Sequence, residues 1–258
     1  DAYLDASAGA GRAEHVEFQR RAAEQLLIGG HIDRGLDLLR GVLAGMGMHP
    51  ARTRRAALFS LLWRRLKLRW RGLGFVSRPI QDIDRDALLR VDTCWSAVTG
   101  LVVVDVIGGS EFSARHLHLA LDVGEPYRIS RALAIESAAR SAGPMGRRLG
   151  ERMLEQSKAL AKSVGNPHAI AVSILADGFH ATTSGEWKRA LLSSEQALTM
   201  LRDHGAGLTW EMNMAQNLVI WALMYLGELG EVSRCVPALL ADPRSRGNLY
   251  LATELCTR

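Results

Sequence analysis

A short signature that ends one helix and begins the next recurs along the chain, and it constrains the fold more than any other feature. Gly165-Asn166-Pro167-His168 stands between two apolar, helix-forming stretches. Glycine adopts the left-handed conformation that closes a helix, asparagine caps the following helix, and proline suits its first turn. Helices joined in this way have almost no loop between them, which is typical of stacked helical hairpins.

The signature recurs at a fixed separation. Gly124-Glu125-Pro126-Tyr127 is a copy 41 residues earlier, and Gly247-Asn248-Leu249-Tyr250 is a copy at twice that separation later. Gly205-Ala206-Gly207 fills the position between the last two copies. One period before Gly124 lies Ile83-Asp84, where a helix is predicted to begin without glycine or proline. A period of about forty residues predicts a repeat array, in which each repeat packs mainly on its neighbours.

Apolar residues spaced three and four apart predict eleven or twelve helices in about six hairpins. The β-branched run Leu101–Val104 is compatible with a strand, but its helical surroundings favour a buried helix that Gly108-Gly109 would end. Leu249 begins a new helix close to the last residue, and the first residue is not methionine. We therefore expect the chain to be a fragment of a longer protein.

Two resemblances to known proteins support and extend the prediction of a helical repeat array. Gly185-Glu186-Trp187-Lys188-Arg189-Ala190, followed by Glu195-Gln196-Ala197-Leu198, resembles the second half of a tetratricopeptide repeat, although the period is longer than the usual one. This resemblance implies an all-α fold, a right-handed superhelix of tetratricopeptide-like hairpins spanning residues 1–258 as a single array.

Further phrases are similar to the helical-repeat region of large bacterial serine/threonine protein kinases that also carry an AAA-type ATPase module. The phrases that carry the similarity are Arg21–Leu27, Leu61–Arg65, Asp92–Ser96, Gly124–Arg128 and Trp221–Leu229. The similarity implies a cytoplasmic sensor or docking region that contacts a protein partner or the neighbouring kinase and ATPase domains. The alternative is the repeat region of a signalling ATPase that regulates transcription.

Catalytic motifs are not found in the sequence. It has no kinase glycine-rich loop, no His-Arg-Asp or Asp-Phe-Gly motif and no Gly-x-x-x-x-Gly-Lys-Ser/Thr loop. Asp177-Gly178-Phe179 has the letters of the kinase motif in another order. We therefore expect no enzyme activity, no cofactor and no metal in this chain, and the kinase and ATPase domains to lie outside it.

Several single residues could serve either a structural or a chemical role, and for each of them we expect the structural role. Cys94, Cys235 and Cys256 are far apart and have no zinc-type spacing, so we expect buried reduced thiols. For His116 and His118 we expect one exposed and one packed or capping side chain. Asp105, Glu136 and Asp177 interrupt apolar helices and are interpreted as internal hydrogen-bonding residues, and Trp187 and Trp210 as packing residues.

The positive charge is concentrated in one segment, residues 40–82, which we predict to be irregular in part. No Asp or Glu occurs between Asp37 and Asp82, and the whole chain has a formal charge of +5. A long helix is predicted from Arg52 to Arg71, followed by a loop from Gly72 to Ile83. On this helix Phe59, Trp63, Leu66 and Trp70 form one apolar stripe. Six basic residues flank the stripe and are the predicted partner-binding residues: Arg55, Arg64, Arg65, Lys67, Arg69 and Arg71.

The stripe and its basic flanks have three interpretations. The first, which we favour, packs the stripe against adjacent helices while the arginines reach water with their charged ends. In the second, the helix is a docking surface for another domain or an acidic protein. In the third, it contacts nucleic acid or a membrane surface. The function predicted for the whole chain is a non-enzymatic interaction and regulatory scaffold.

Overall fold

The computed structural model describes residues 2–7, 11–51, 53–102, 104–143, 146–203 and 208–241. Over these ranges the chain folds into twelve α-helices and one short 3-10 helix, without a β-strand. It divides into two compact units, Asp1–Ala132 and Leu133–Arg258, and the boundary falls within the seventh helix. The prediction of an all-α chain is confirmed for the part of the chain that is described.

The first unit contains six helices and the start of a seventh. Their bounds are α1 Ala2–Ser7, α2 Arg12–Ile28, α3 Ile32–Gly45, α4 Arg54–Arg71, α5 Arg85–Leu101, α6 Val106–Val123 and α7 Pro126–Ser141. A 3-10 turn, Ile80–Asp82, lies in the otherwise extended segment between α4 and α5. Thr53 caps α4 by accepting a hydrogen bond from the Ala56 amide, and Asp84 caps α5 in the same way.

Small residues allow the helices of the first unit to pack closely. Leu27 of α2 lies against Gly35 of α3 and Gly100 of α5. A Cβ atom at Gly35 would lie 2.7 Å from Leu27 Cγ, and one at Gly100 would lie 2.3 Å from Leu27 Cδ1. Helix α2 therefore packs on both α3 and α5, whereas α4 packs on α6.

The second unit contains the remainder of α7 and five further helices. Their bounds are α8 Arg147–Val164, α9 Pro167–Thr183, α10 Trp187–Asp203, α11 Thr209–Leu226 and α12 Leu229–Ala241. From α8 to α12 each helix packs on the next one in the sequence, and α9 also contacts α11. Gly178 allows α9 to approach α10, because a Cβ atom there would lie 2.6 Å from Ser194 Oγ.

The helix-ending signatures have the predicted conformation where the structure describes them. Gly124 and Gly165 are left-handed, with φ of 85° and 68°, and close α6 and α8. The Asn166 side chain accepts hydrogen bonds from the amides of His168 and Ala169, and Pro167 begins α9. The copies at 205–207 and 247–250 lie outside the described residues. Asp84 begins a helix without glycine or proline, as predicted.

The predicted helix through Leu101–Val104 is wrong in its bounds. Helix α5 ends at Leu101, and Asp105 caps α6 by accepting a hydrogen bond from the Gly108 amide. Gly108 and Gly109 therefore lie in the first turns of α6 instead of ending the preceding helix. Gly109 is needed there because a Cβ atom would lie 2.9 Å from the backbone of Val102. Asp105 supplied the cap, and two adjacent glycines misled the prediction.

Candidate functional site

Helix α4 has two faces of opposite character. One face, with Ala57, Leu61 and Leu68 buried, lies against α6. These positions are four and seven residues apart, so they form a single stripe on the helix. The opposite face carries the large apolar residues and is exposed to solvent.

The packed face of α4 is fixed to α6 by the buried carboxylate of Glu111. One oxygen of Glu111, Oε1, accepts hydrogen bonds from Ser60 Oγ at 2.9 Å and Arg64 Nε at 2.7 Å, both on α4. The same oxygen accepts a bond from Arg115 Nη2 on α6 at 3.0 Å. Only 2% of the Glu111 side chain is exposed. A buried carboxylate requires such donors, so the position and rotation of α4 are strongly specified.

Three further contacts fix the C-terminal half of α4. His118 Nε2 of α6 lies 2.9 Å from the backbone oxygen of Arg64. Burial lowers the pKa of His118, partly offset by this hydrogen bond. Arg71 Nη2 pairs with Asp122 Oδ1 at 2.8 Å, and Arg71 Nη1 donates to the backbone oxygen of Gly74 at 3.1 Å. These contacts fix the rotation of α4 about its axis, so its exposed face also has a defined orientation.

The segment that follows α4 is anchored at the end of α6. The Arg78 amide donates a 2.9 Å hydrogen bond to the Gly124 oxygen. A Cβ atom at position 124 would lie 2.3 Å from the backbone oxygen of Val76, so only glycine fits here. The predicted loop from Gly72 to Ile83 is present, with the one 3-10 turn inside it. It leaves Val76 and Ile80 exposed.

The apolar stripe of α4 is exposed, which contradicts the packing that the sequence favoured. Phe59 is 73% exposed, Trp70 72% and Trp63 54%, with Leu66 at 39%. Leu58 and Leu62 extend the same face. The rings of Trp63 and Trp70 contact edge to face, with their centroids 6.4 Å apart. We call these six residues the aromatic face: Leu58, Phe59, Leu62, Trp63, Leu66 and Trp70.

The six predicted basic residues divide between the two faces. Arg64 and Arg71 are ion-paired with Glu111 and Asp122 on α6, so they serve to dock α4. Arg65 is half-buried beside the aromatic face. The remaining three are exposed and form no ion pair with a described residue: Arg55, Lys67 and Arg69. Arg55 and Arg69 share the aromatic face, since each lies three or four residues from its members.

A cleft of about 950 Å³ lies between α3, α4 and the start of α6. Leu39, Leu43 and Phe112 line its apolar wall, and His49 and Asp105 are among its polar residues. Asp105 is engaged as the cap of α6. Because Glu111 on the same wall already accepts three hydrogen bonds through one oxygen, its main role there is structural. The described lining brings no histidine within hydrogen-bond distance of a carboxylate, so an acid–base pair is not assembled.

The two close histidines are both buried, which corrects the expectation that one would face solvent. His116 is fully buried beside Trp95, with ring centroids 5.9 Å apart, and neither of its nitrogens has a partner among the described residues. Burial, and then the charge of Arg131, lowers the pKa of His116 to about 3. A neutral buried imidazole of this kind is a packing residue.

Two of the three carboxylates predicted inside apolar helices, Glu136 and Asp177, are internal hydrogen-bonding residues, as predicted, whereas Asp105 lies outside the helices and caps α6. Glu136 Oε1 accepts a 2.7 Å bond from Arg140 Nε. Asp177 accepts bonds from Lys158 Nζ at 2.6 Å, Arg189 Nη2 at 2.7 Å and Ser193 Oγ at 2.8 Å. Burial raises the pKa of Asp177, but these donors outweigh burial and hold its pKa well below the usual range.

The remaining single residues are structural where they are described. Burial raises the pKa of the Cys94 thiol to about 12, so it stays protonated and unreactive. Cys235 is half-buried, which corrects the expectation of a buried thiol there, and Cys256 lies outside the described residues. Trp210 is buried, and Trp187 stacks on Tyr225 with centroids 4.0 Å apart. The described residues contain no cluster of three or more metal-ligating side chains.

Sequence reasoning missed two charged clusters. Glu111 was not singled out, although it is one of two acids in α6 and the basic helix has no acid of its own. Asp92 was missed as well. It pairs with Arg128 at 2.5 Å and with Arg131 at 2.9 Å, and Arg131 also lies over the Trp95 ring. Both acids are paired with arginines far away in the sequence, so only the fold reveals them.

The sequence matches no family model and no curated protein, and no solved structure matches the chain. In the described part of the chain, no helix combines the length and the apolar character needed to cross a membrane. The feature of the described residues that bears most directly on function is therefore the exposed aromatic face of α4.

Proposed function

We propose that this chain is a non-enzymatic protein-interaction module and that the aromatic face of α4 is its binding surface. One observation carries the proposal: six large apolar side chains are exposed on a helix whose other face is fixed to α6 by a buried carboxylate. An isolated exposed leucine needs no explanation, but a contiguous apolar patch of this kind marks an interaction site. Tryptophan and arginine, both present here, are the residues that most often dominate binding energies.

The order in the patch further supports a binding role. Because Glu111 fixes the rotation of α4, the aromatic face is presented in one orientation before a partner binds. The contact between Trp63 and Trp70 restricts the rotamers of both rings. A surface that is ordered in advance loses little side-chain entropy on binding, which increases affinity for the same contact area.

The proposed architecture is a right-handed superhelix of tetratricopeptide-like hairpins. Its support is the succession from α8 to α12, in which each helix packs on the next and α9 contacts α11. The left-handed glycines at the helix ends and the small residues between α9 and α10 favour the same arrangement. Arrays of this type present an extended concave surface to their binding partners.

The proposed context is the sensor or docking region of a cytoplasmic bacterial serine/threonine kinase that also carries an ATPase module. Its support is the resemblance of the phrases Arg21–Leu27 and Trp221–Leu229 to such repeat regions. In that context the partner is either another protein or a neighbouring domain of the same chain.

A second candidate is the repeat region of a signalling ATPase whose basic helix contacts nucleic acid. The observation that favours it is the outward position of Arg55, Lys67 and Arg69. Two of the six basic residues, Arg64 and Arg71, are already paired within the protein, which leaves a smaller positive surface than the sequence indicates. Protein binding is the better fit because phosphate recognition does not require an apolar face.

The proposed function is tested by partner retention. The purified chain and a Trp63→Ala/Trp70→Ala variant are used to capture proteins from cells that contain the natural protein, and each captured protein is purified and titrated by calorimetry. Leu192→Ala is the control, because Leu192 is 68% exposed on α10 in the other unit. We expect a partner whose affinity falls at least about thirtyfold in the double variant, which corresponds to a cost of about 1 kcal/mol or more at each tryptophan, and is unchanged in the control. If every captured protein binds the double variant as tightly as the parent chain, the proposal is wrong.

A further inference from the structure

The charges beside the aromatic face indicate the chemistry of the partner, an inference that rests on the proposed function of α4. We propose that the partner presents an amphipathic helix with acidic side chains near both ends of its apolar stripe. The acidic positions lie about 21 Å apart, the distance that fourteen residues of helix span between Arg55 and Arg69.

The apolar part of the face has the dimensions of a helix–helix contact. Its members extend from Leu58 to Trp70, which is a little over three turns of α-helix. They are spaced three and four residues apart, as in the ridges of a helix that packs lengthwise on another. An amphipathic partner helix with leucine or methionine at matching spacings would cover Phe59, Trp63 and Trp70 together.

The charges select an acidic partner. Arg55 precedes the apolar stripe and Arg69 lies near its end, both exposed and both without an ion pair among the described residues. Lys67 adds a third positive charge at the edge of the face. Helix α4 contains no acidic residue, so no carboxylate on the helix itself competes for these cations. A partner that covers the stripe must place carboxylates opposite them or leave them unpaired at an interface.

A second copy of this chain is the wrong partner on the same grounds. Two antiparallel α4 helices would bring Arg55 of each copy next to Arg69 of the other. Two parallel helices would bring Arg55 next to Arg55. Each pairing places like charges together without a carboxylate to neutralise them. The absence of acid between Asp37 and Asp82 therefore argues against self-association through this face.

A bilayer or a nucleic acid fits the face less well than an acidic helix. Arg55 shares its side of α4 with Leu58, Phe59 and Leu62, at spacings of three, four and seven residues. Insertion of these apolar residues into a bilayer would draw the guanidinium toward the acyl chains, where a charge is costly. Phosphates of a nucleic-acid duplex would meet Arg55 and Arg69, but its bases are stacked on each other and would leave Trp63 and Trp70 without apolar contact.

The experiment uses three synthetic helical peptides of about eighteen residues, enough to span the face. They share one leucine stripe and differ only at two positions fourteen residues apart, which carry glutamate, glutamine or lysine. Binding to the whole chain is measured by fluorescence anisotropy at low and high salt. At low salt we expect the glutamate peptide to bind at least about tenfold more tightly than the lysine peptide, and the difference to shrink as salt screens it.

Two double variants test whether Arg55 and Arg69 cause the preference for the glutamate peptide. Arg55→Gln/Arg69→Gln is expected to abolish the preference for glutamate over lysine while it leaves the affinity for the glutamine peptide unchanged. Arg148→Gln/Arg152→Gln is the matched control, because both arginines are exposed on α8 in the other unit. The control is expected to keep the full preference. A preference that survives Arg55→Gln/Arg69→Gln contradicts the inference.

The remaining outcomes separate this inference from the proposed function. If the glutamate and lysine peptides bind equally, and Trp63→Ala/Trp70→Ala abolishes both, the acidic partner is wrong while a helix-binding face stands. If none of the peptides binds through α4, the inference is overturned alone, because partner retention tests the function independently. Arginine-dependent binding to phosphatidylglycerol vesicles or duplex DNA, without a preference for the glutamate peptide, would replace the partner helix with that ligand. A dimer that forms through α4, detected by analytical ultracentrifugation, would show that the partner is a second copy of this chain.

Discussion

Helices α4 and α10 have similar lengths and both show apolar residues at spacings of three and four, yet they use them differently. In α10 the residues Ala190, Ala197, Leu198 and Leu201 are buried, and the helix packs on both α9 and α11. In α4 the aromatic face is exposed, and small or aliphatic residues on the other face pack on α6. The same kind of periodicity thus gives a core in one helix and a surface in the other.

The difference shows that an apolar stripe predicts an amphipathic helix but does not predict what covers the stripe. In the second unit α10 packs on both the helix before it and the helix after it, so its apolar stripe is covered. In the first unit only one face of α4 can lie on α6. The face that carries the hydrogen-bond partners of Glu111 takes this position, and the aromatic face does not. The buried carboxylate of Glu111 is stable only when its hydrogen-bond donors on α4 lie beside it. The aromatic face has no such requirement and remains available to another molecule.

The largest effect is expected at the contact between α4 and α6. Glu111→Ala removes the carboxylate that Ser60, Arg64 and Arg115 share, and we expect it to lower the free energy of unfolding by about 3–5 kcal/mol. Urea denaturation followed by circular dichroism measures this value. Glu155→Ala on α8 is the control, because its side chain is 73% exposed, and should change stability little. A loss below about 1 kcal/mol at Glu111 would show that α4 is held by other contacts.

A matched pair of leucines tests the comparison itself. Leu201 of α10 is fully buried and Leu62 of α4 is 59% exposed. We expect Leu201→Ala to lower the free energy of unfolding by about 2–5 kcal/mol, and Leu62→Ala to change it by less than about 0.5 kcal/mol. The same denaturation experiment measures both. Equal losses would mean that the face of α4 is packed in solution.

The charged cluster at Asp177 is expected to contribute less, because its cations are partly solvated. Asp177→Ala should lower stability by about 1.5–3 kcal/mol at neutral pH. Since the pKa of Asp177 is lower in the folded state, its contribution is present above the unfolded pKa of about 4 and is lost as the pH falls below it. The difference between the parent chain and the variant should therefore shrink in acid. A difference that stays constant down to pH about 2 would contradict the role of these donors.

The smallest effect concerns the buried histidine. The folded pKa of His116 is about 3, below its unfolded value, so the unfolded chain binds the extra proton between these values. Stability contributed by the neutral ring is present above pH about 6.5 and should fall by about 1.4 kcal/mol by pH about 5.5. His116→Phe should remove this part of the pH dependence, and His31→Gln, at an exposed site, should retain it. Identical pH profiles for the parent chain and His116→Phe would contradict this account, because they would show that His116 binds its proton equally well in the folded and the unfolded state.

The sequence predicted most helix bounds because the signals for them are local. The capping side chain of Asn166, the proline at 167 and the left-handed glycine at 165 act within a few residues of each other. Helix α8 therefore ends and helix α9 begins where predicted. The error at Gly108-Gly109 arose because the cap at Asp105 and the close approach to Val102 explain these glycines better than a helix end does.

The candidate site was predictable only in part. The aromatic stripe and its basic residues follow from spacing alone, so the site could be located on α4. Which side faces solvent depends on Glu111, which lies more than forty residues away from Arg64 in the sequence. No local pattern encodes that pairing, and it decides that Arg64 and Arg71 dock the helix while Arg55 and Arg69 remain outward.

Hydroxyl-radical footprinting of the tryptophans, read by mass spectrometry, tests the central claim most directly. In the free chain we expect rapid oxidation of Trp63 and Trp70 and strong protection of Trp95 and Trp210, which are 4% and 6% exposed. Addition of a partner that binds α4 should protect Trp63 and Trp70 and leave the other two unchanged. Protection of Trp63 and Trp70 in the free chain, to the level of Trp95, would contradict the account, because the aromatic face would then be covered by the chain itself.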